Sequence, residues 1–99
     1  MKRHAVSFTA RAEAELREAV AFWESQGARG LFASELASTL AELTETPKIA
    51  PLFLPRAERG VRRALLRRTK QHVYYRVDDE PRRIVILAIW HARRPDPDL

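Results

Sequence analysis

Apolar residues recur at helical spacing in the first half of the chain. The first stripe, at i, i+3, i+4 and i+7, consists of Leu16, Ala19, Val20 and Trp23. A second stripe consists of Phe32, Leu36, Leu40 and Leu43. Because this spacing places apolar side chains on one side of a helix, it predicts two amphipathic helices, the second from about Ala28 to Thr46. Gly27 ends the first helix, and so short a connection makes the two an antiparallel hairpin.

The residues before the first stripe predict a strand and a helix cap. His4–Thr9 alternates in polarity, which favours a short strand. The Thr9 hydroxyl can accept a hydrogen bond from an amide of the first helical turn, and Glu13 lies near the positive end of that helix. The strand is therefore expected to lead directly into the helix.

Beyond the helices the spacing changes to alternation. Three segments follow this pattern: Val61–Arg68, His72–Val77 and Arg83–Trp90. The last of them is apolar on both faces, as a central strand covered on two sides would be. Asp78–Pro81 has the length of a hairpin turn. The pattern therefore predicts three strands in succession.

Prolines limit regular structure in two places. Three of them exclude a helix between about residues 47 and 60, so that stretch is expected to be a loop. Two more, Pro95 and Pro97, prevent residues 95–99 from continuing the sheet. Those last residues are expected to form an extended tail.

The order of the elements predicts the class of fold. It is an α+β fold with an N-terminal strand, an antiparallel helix hairpin and then a three-stranded antiparallel meander. The hairpin is expected to pack on one face of the sheet, with Trp23 in the core. A chain of 99 residues has the size of one domain, so residues 1–99 are expected to form a single domain.

Composition excludes several classes of protein. The longest apolar run, Ile84–Trp90, is far too short to cross a membrane, and no apolar stretch follows the basic N-terminus as it would in a signal peptide. The chain has no cysteine, and its three histidines have no metal-ligand spacing. We therefore expect a cytoplasmic protein with no metal, no other cofactor and no membrane partner.

Charge is segregated along the chain. From Thr9 to Thr46 three Arg face seven Glu, a net charge of −4. From Arg56 to Arg76 seven Arg and one Lys face a single Glu, a net charge of +7. Such segregation favours one acidic and one basic surface, the second suited to a polyanion or an acidic partner. The plainer alternative is that these arginines are ordinary solvated surface cations.

Two motifs at this spacing, after a helix hairpin, resemble a known superfamily. They are "RRALLRRTKQHVYYRVDDE" and the closing "ILAIWHARR". The chain resembles the RelE/ParE superfamily of toxins from bacterial type II toxin–antitoxin pairs, over nearly its whole length up to Arg94. RelE-like members are ribosome-dependent nucleases that cut messenger RNA with basic residues and often a C-terminal tyrosine or histidine. ParE-like members generally lack that set and poison DNA gyrase.

The resemblance implies candidate residues for a nuclease. Arg67 aligns with an arginine used near the scissile phosphate, where a guanidinium would stabilise the charge of the transition state. Arg93 and Arg94 are candidates for a second clamp, and His91 for a general base or acid. The nuclease hypothesis therefore rests on Arg67, His91 and Arg94. For His91 the plainer alternative is a strand-end residue hydrogen-bonded to the backbone.

Two features favour the ParE branch instead. No tyrosine follows the last strand, since Tyr74 and Tyr75 both lie within a strand. Of these two, Tyr75 is expected to face the core and Tyr74 to place its hydroxyl at the surface. In addition, Asp96 and Asp98 beside the terminal arginines would repel a phosphate backbone.

The sequence therefore predicts a ParE-like toxin that inhibits DNA gyrase and so replication, and that a ParD-like antitoxin neutralises in a hetero-oligomer. The alternatives are a RelE-like endoribonuclease acting on ribosome-bound mRNA, and a decayed, non-toxic member. The antitoxin segment is expected to be acidic and to wrap across the helix hairpin and the sheet edge. Residues expected to bind the target or the antitoxin are Arg62, Arg63, Arg67, Arg68, Tyr74, Arg76, Trp90, His91, Arg93 and Arg94.

Overall fold

A computed structural model describes residues 3–99 of the chain. The predicted single domain also includes residues 1 and 2, which lie outside the described residues. The elements in chain order are β1 (Ala5–Phe8), α1 (Ala10–Ser25), α2 (Leu31–Glu45), β2 (Arg62–Leu66), β3 (Gln71–Asp79) and β4 (Arg82–His91). The predicted α+β order is confirmed.

The helix hairpin has the predicted caps. The Thr9 hydroxyl accepts a hydrogen bond of 3.1 Å from the Ala12 amide, which fixes the start of α1. Gly27 and Gly30 adopt positive φ angles of 77° and 80° between the helices. Because Gly30 is left-handed, α2 begins at Leu31, three residues later than the spacing predicts.

The four strands form one mixed sheet in the order β1-β4-β3-β2. The meander of β2, β3 and β4 is antiparallel, as predicted, and β1 pairs in parallel with β4. β4 is therefore an inner strand, and it is covered on both faces. This explains why the sequence of β4 is apolar on both sides.

A β-bulge interrupts the pairing of the two longest strands. Tyr74 pairs with Ala88 and Tyr75 with Ile86, which leaves Leu87 as an extra residue in β4. A bulge of this kind shifts the alternation of side chains by one residue. After it, Ile89 belongs to the core under the helices, whereas Ala88 and Trp90 belong to a second apolar cluster.

The main core lies between the helices and one face of the sheet. Its buried members are Ala12, Phe32, Leu36, Leu43, Ala50, Ala64, Leu66, Val73, Tyr75, Ile84, Ile86 and Ile89. Trp23 packs against this cluster and is half-buried. Tyr75 faces the core, as predicted, and its hydroxyl donates a hydrogen bond of 2.7 Å to the Pro47 carbonyl.

A second apolar cluster covers the opposite face of the sheet, and it corrects the prediction for Tyr74. Tyr74 is fully buried in it, so the expected surface position of its hydroxyl is wrong. The reason is the preceding loop, which folds over the sheet and places the Phe53 ring edge-on to Tyr74, with 5.0 Å between the ring centroids.

The predicted exclusion of a helix between residues 47 and 60 is also wrong, since Leu54–Arg59 forms short 3-10 turns. Its proline lies in the first turn, where the missing N–H has no partner to lose.

Thr9 and the first helix cover the part of the β4 edge that pairs with no strand. β1 ends at Phe8, opposite Ile86, and leaves the rest of β4 without a strand on that side. Thr9 replaces the missing strand, because its amide donates to the Ile86 carbonyl and its hydroxyl to the Leu87 carbonyl. Further along, the Glu15 carboxylate accepts a hydrogen bond of 2.9 Å from the Ile89 amide. This edge is therefore closed by Thr9 and by the Glu15 side chain of α1.

Candidate functional site

The sheet surface opposite the helices carries several of the predicted residues, and we call it the arginine face. It is defined by Val61, Arg63, His72, Tyr74, Arg76, Ala88 and Trp90. β2, β3 and β4 place these side chains on one surface because alternate residues of a strand share a face. The bulge at Leu87 is what moves Trp90 to this face.

The end of the last strand forms a stacked pair. The Arg94 guanidinium carbon lies 3.6 Å from the centroid of the Trp90 ring, and Arg11 of α1 approaches the same ring at 5.4 Å. The Trp90 indole donates a hydrogen bond of 2.7 Å to the Pro95 carbonyl, which fixes the plane of the ring. Arg94 is exposed in spite of this contact. Its charge is therefore held in place and still open to a partner.

Arg63 joins the middle of the arginine face to residues 95–99. Its guanidinium carbon lies 5.3 Å from the Phe53 ring centroid, and its Nη1 lies 3.6 Å from Oδ1 of Asp96. Across the strand pair it is opposite Tyr74. Among residues 3–99 no group makes a hydrogen bond of good geometry with the buried Tyr74 hydroxyl. Burial raises the pKa of this phenol, and a weaker interaction with the Arg63 guanidinium opposes the rise.

His72 lies beside this pair. Its ring centroid is 6.0 Å from that of Tyr74, edge to face. Burial lowers the pKa of His72 below its ordinary value of 6.5, and the positive charge of Arg63 lowers it further, whereas Asp96 partly opposes both. The neutral imidazole is therefore the favoured form on the arginine face.

Arg67 and Arg68 lie in the turn between β2 and β3, which Glu35 of α2 holds in place. The Glu35 carboxylate accepts hydrogen bonds from the Arg68 amide at 2.7 Å and from the Thr69 amide and hydroxyl at 3.0 and 2.8 Å. Burial opposes ionisation of Glu35, but these three hydrogen bonds outweigh it and lower its pKa. Both arginine side chains are exposed at this turn.

His91 lies on the side of β4 that faces α1. It lines a shallow cleft with Arg94 and with the acidic residues Glu15 and Glu18. Its Nδ1 accepts a hydrogen bond of 3.1 Å from the Arg93 amide. The ring nitrogen is therefore engaged by the backbone at the end of the strand.

The three nuclease candidates do not share one cleft. Arg67 lines a different cleft, between α2 and β2, together with His72 and Leu65. His91 and Arg94 lie in the cleft beside α1, two strands away in the sheet order. Neither cleft therefore brings the guanidinium of Arg67 and the imidazole of His91 together around one bound phosphate.

Two further predicted residues make contacts within the fold. The Arg62 guanidinium donates to the carbonyls of Lys48 and Ala50, at 3.2 and 2.7 Å, and so holds the loop against the edge of β2. Arg76 donates a hydrogen bond of 3.2 Å to the Asp78 carboxylate.

Three arginines of this region were not predicted from the sequence. Arg56 and Arg59 come from the 3-10 turns, and Arg11 comes from α1. All three bind the backbone of the last two residues of the chain. The first two belong to the basic stretch that begins at residue 56, so the charge count indicates them. Nothing in the sequence pattern indicates Arg11, which lies in the acidic part of the chain.

Within residues 3–99 no group of three His, Cys, Asp or Glu side chains is arranged to hold a metal ion. None of the helices described there is both long enough and apolar enough to cross a membrane.

Comparison with solved structures identifies the class of this fold. A chain of the chromosomal ParDE toxin–antitoxin system from P. aeruginosa matches with a TM-score of 0.69 and 21% identity, over 92% of this chain and 98% of that one. A chain of the RelBE2 toxin–antitoxin complex from Mycobacterium tuberculosis matches with a TM-score of 0.58 and 26% identity, over 90% and 98%. The fold is that of ParE/RelE-like toxins.

A sequence profile gives the family within that class. The profile described as "ParE toxin of type II toxin-antitoxin system, parDE" matches residues 6–95, which is most of the chain. The chain therefore belongs to the ParE toxin family of type II toxin–antitoxin systems. None of the curated proteins compared with it matches in sequence.

Proposed function

We propose that the chain is a toxin that inhibits DNA gyrase and so blocks replication in the cytoplasm. Membership of the ParE family supports the choice of gyrase over the ribosome. The observation that carries this choice is the separation of Arg67 from His91 and Arg94 into two clefts. A nuclease needs its phosphate clamp and its proton-transfer group around one scissile bond. A protein-binding surface has no such requirement.

Charge around the strand end supports a protein target as well. Carboxylates lie among the arginines, with Asp96 beside Arg63 and with Glu15 and Glu18 in the cleft of Arg94. Mixed charge of this kind weakens binding to a continuous phosphate backbone, whose affinity comes from neutralised phosphates. It suits a protein surface, where complementary charges of both signs set orientation.

The proposed contact surface is the end of β4. Trp90 supplies a half-buried aromatic face, and Arg94 is stacked on it with its charge exposed. Aromatic and arginine side chains are enriched among the residues that dominate protein interfaces. Arg93 and His91 flank this pair, and we place them at the rim of the same contact.

We further propose that a ParD-like antitoxin neutralises the toxin in a hetero-oligomer. The two similar structures both come from toxin–antitoxin systems, which supports an antitoxin partner here. The excess of arginine between residues 56 and 76 favours an acidic antitoxin segment.

The test compares the two candidate targets side by side. The purified chain is titrated into a DNA gyrase supercoiling reaction and into a cell-free translation reaction, each with and without the cognate antitoxin. We expect loss of supercoiling that the antitoxin reverses, with translation unchanged. Inhibition of translation with cut mRNA and normal supercoiling would instead establish the RelE-like nuclease, and an effect on neither would favour a non-toxic member.

A further inference from the structure

Residues Pro95–Leu99, which we call the tail, cross the arginine face with neither helix nor strand structure. The tail is held along its length by side chains from four parts of the fold. At its start the Pro95 carbonyl accepts from the Trp90 indole, in its middle Pro97 is buried, and at its end Leu99 packs against the second apolar cluster. An unstructured segment is thus bound like a ligand on the surface of its own chain.

Arginines form the polar half of this binding site. Asp96 lies 3.6 Å from Arg63, and Asp98 lies 3.5 Å from Arg56. Arginines also bind the backbone, since the Leu99 oxygen accepts from Arg56 at 3.0 Å and from Arg59 at 3.3 Å. These two bonds are made to the last residue of the chain, so they hold the end of the tail.

An apolar cleft forms the other half. Leu99 forms one wall of an open cleft of about 330 Å³, and the other walls are Thr9, Arg11, Arg59, Val61, Arg76 and Leu87. The floor is apolar and the rim carries three guanidinium groups. Such a cleft, next to the end of the tail, suits an extended peptide in which an apolar side chain follows an acidic one.

The ion pairs add little to the binding of the tail. Both carboxylates of these pairs are exposed, and exposed pairs of this kind are weak and are screened by salt. The hydrogen bonds and apolar contacts of the tail are helped by its covalent attachment, which gives it an effective concentration on the order of millimolar. A partner segment with better contacts can therefore replace it.

We propose that the surface under the tail, together with this arginine-rimmed cleft, is a binding site for an extended acidic peptide segment of a partner protein, and that the tail competes with that segment. The proposal rests on the antitoxin contact of the proposed function and adds its place on the fold and its competitor; it does not depend on the action on gyrase. A nucleic acid fits the site less well, because its phosphates would pair with the arginines but leave the apolar floor unfilled. The tail itself displays the chemistry that fits this surface, because its carboxylates, Asp96 and Asp98, alternate with the apolar residues Pro97 and Leu99.

The test measures binding of the tail sequence in trans. A fluorescently labelled peptide, RPDPDL, is titrated with the full chain and with a variant that ends at Arg94, and binding is followed by anisotropy. We expect the shortened variant to bind at least about tenfold more tightly than the full chain, because the competitor is gone. Equal affinity for the two proteins would overturn the proposal.

Control peptides and variants separate the charged contribution to binding from the apolar one. The peptide RPNPNL lacks the two carboxylates and RPDPDA lacks the leucine side chain, and each is expected to bind the shortened variant several-fold more weakly. In that same variant, Arg56→Ala with Arg59→Ala is expected to weaken RPDPDL binding on the order of fivefold or more, whereas Arg29→Ala, an exposed arginine between the helices, leaves it unchanged. Loss of affinity with Arg29→Ala as well would mean non-specific charge and contradict the proposal.

A second variant covers the case in which shortening the chain unfolds it. The full-length triple variant Asp96→Asn, Asp98→Asn, Leu99→Ala keeps the backbone of the tail but removes its anchoring groups. It is expected to bind RPDPDL more tightly than the unmodified chain does. Tighter binding of a single-stranded oligonucleotide than of the peptide would assign the face to nucleic acid and overturn the proposal. No gyrase or ribosome is present, so failure here leaves the proposed action on gyrase untouched.

Discussion

The Arg94 guanidinium carbon lies 3.6 Å from the centroid of the Trp90 ring, at the point where the last strand ends. The bulge at Leu87 brings about this contact, because without the extra residue Trp90 would point toward the helices. The closing Trp-His-Ala-Arg-Arg is therefore divided between two sides of the sheet, with His91 facing α1. This division argues against a single catalytic cluster and for a contact surface.

The stacked pair gives the first prediction. Arg94→Ala should raise the concentration needed for half-inhibition of gyrase about tenfold, because truncation of a central interface arginine commonly costs more than about 1 kcal/mol. Folding stability should fall by no more than about 1 kcal/mol, the size of an exposed cation–π contact. Supercoiling assays and chemical denaturation measure the two effects.

The matched variants are Arg94→Lys and Arg29→Ala. The lysine keeps the charge but loses the planar stacking, so its inhibition should lie between those of the unmodified chain and Arg94→Ala. Arg29→Ala should inhibit normally. If Arg94→Ala inhibited as well as Arg29→Ala does, the end of β4 would not be the contact surface.

The second prediction concerns Glu35, which ties α2 to the turn that follows β2. Its pKa is lowered in the folded state from an ordinary value of 4.5, so the unfolded chain binds more protons at acid pH. Its stabilising contribution is therefore fully present above about pH 4.5 and is lost as the pH falls through the lower folded value. Glu35→Gln should destabilise the protein by about 1–2 kcal/mol at pH 7, since hydrogen bonds to a charged acceptor are replaced by weaker ones.

Denaturant unfolding between pH 3 and pH 7 checks this. The destabilisation by Glu35→Gln should shrink as the pH falls, because both proteins then have a neutral side chain at this position. Glu42→Gln, an exposed position on the same helix, is the control and should change stability by less than about 0.5 kcal/mol at any pH. A pH-independent effect at Glu35 would show that ionisation is not the cause.

The adjacent tyrosines give a third prediction, because their hydroxyl groups differ in environment. The Tyr75 hydroxyl donates to the Pro47 carbonyl, whereas the buried Tyr74 hydroxyl has no hydrogen-bond partner within residues 3–99. Tyr75→Phe should cost about 1–2 kcal/mol of stability. Tyr74→Phe should be neutral or stabilising, because it removes a buried unpaired polar group. Equal losses for the two variants, measured by denaturant unfolding, would contradict this assignment.

A fourth prediction uses His72 as a reporter of the tail. Its pKa, measured by NMR titration, should lie below 6.5 because burial and Arg63 disfavour the charged ring. Asp96→Asn should lower the pKa further and Arg63→Ala should raise it. Since the folded pKa is depressed, the protein should lose stability as the pH falls below about 6.5. A His72 pKa that does not respond to Asp96→Asn would show that the tail does not lie over this face in solution.

Local spacing predicted most of the fold correctly. The apolar stripes predicted both helices and the alternation predicted β2, β3 and β4, because burial of one or both faces of an element determines which of its positions are apolar. The buried position of Tyr74 could not be predicted, because a distant loop places Phe53 over it. The bulge at Leu87 is likewise a matter of pairing between strands, so its effect on Trp90 leaves no trace in local periodicity.

The sequence predicted only part of the candidate site, because the rest again depends on contacts between residues that are distant in sequence. The charge count indicated an arginine-rich surface, but it could not show which arginines are neutralised by the fold. Asp96 was expected to repel a phosphate, and in the structure it lies beside Arg63. Arg11 reaches the tail only because the edge of β4 is closed by α1, a contact far apart in sequence.

A DNA gyrase reaction titrated with the purified chain, in which supercoiled and cleaved DNA are quantified together, decides whether gyrase is the target. We predict that supercoiling falls and cleaved DNA accumulates as the chain is added, that the antitoxin reverses both, and that Arg94→Ala shifts the titration to higher concentration. Unchanged supercoiling with folded protein, at concentrations that stop translation and cut mRNA, would contradict this prediction.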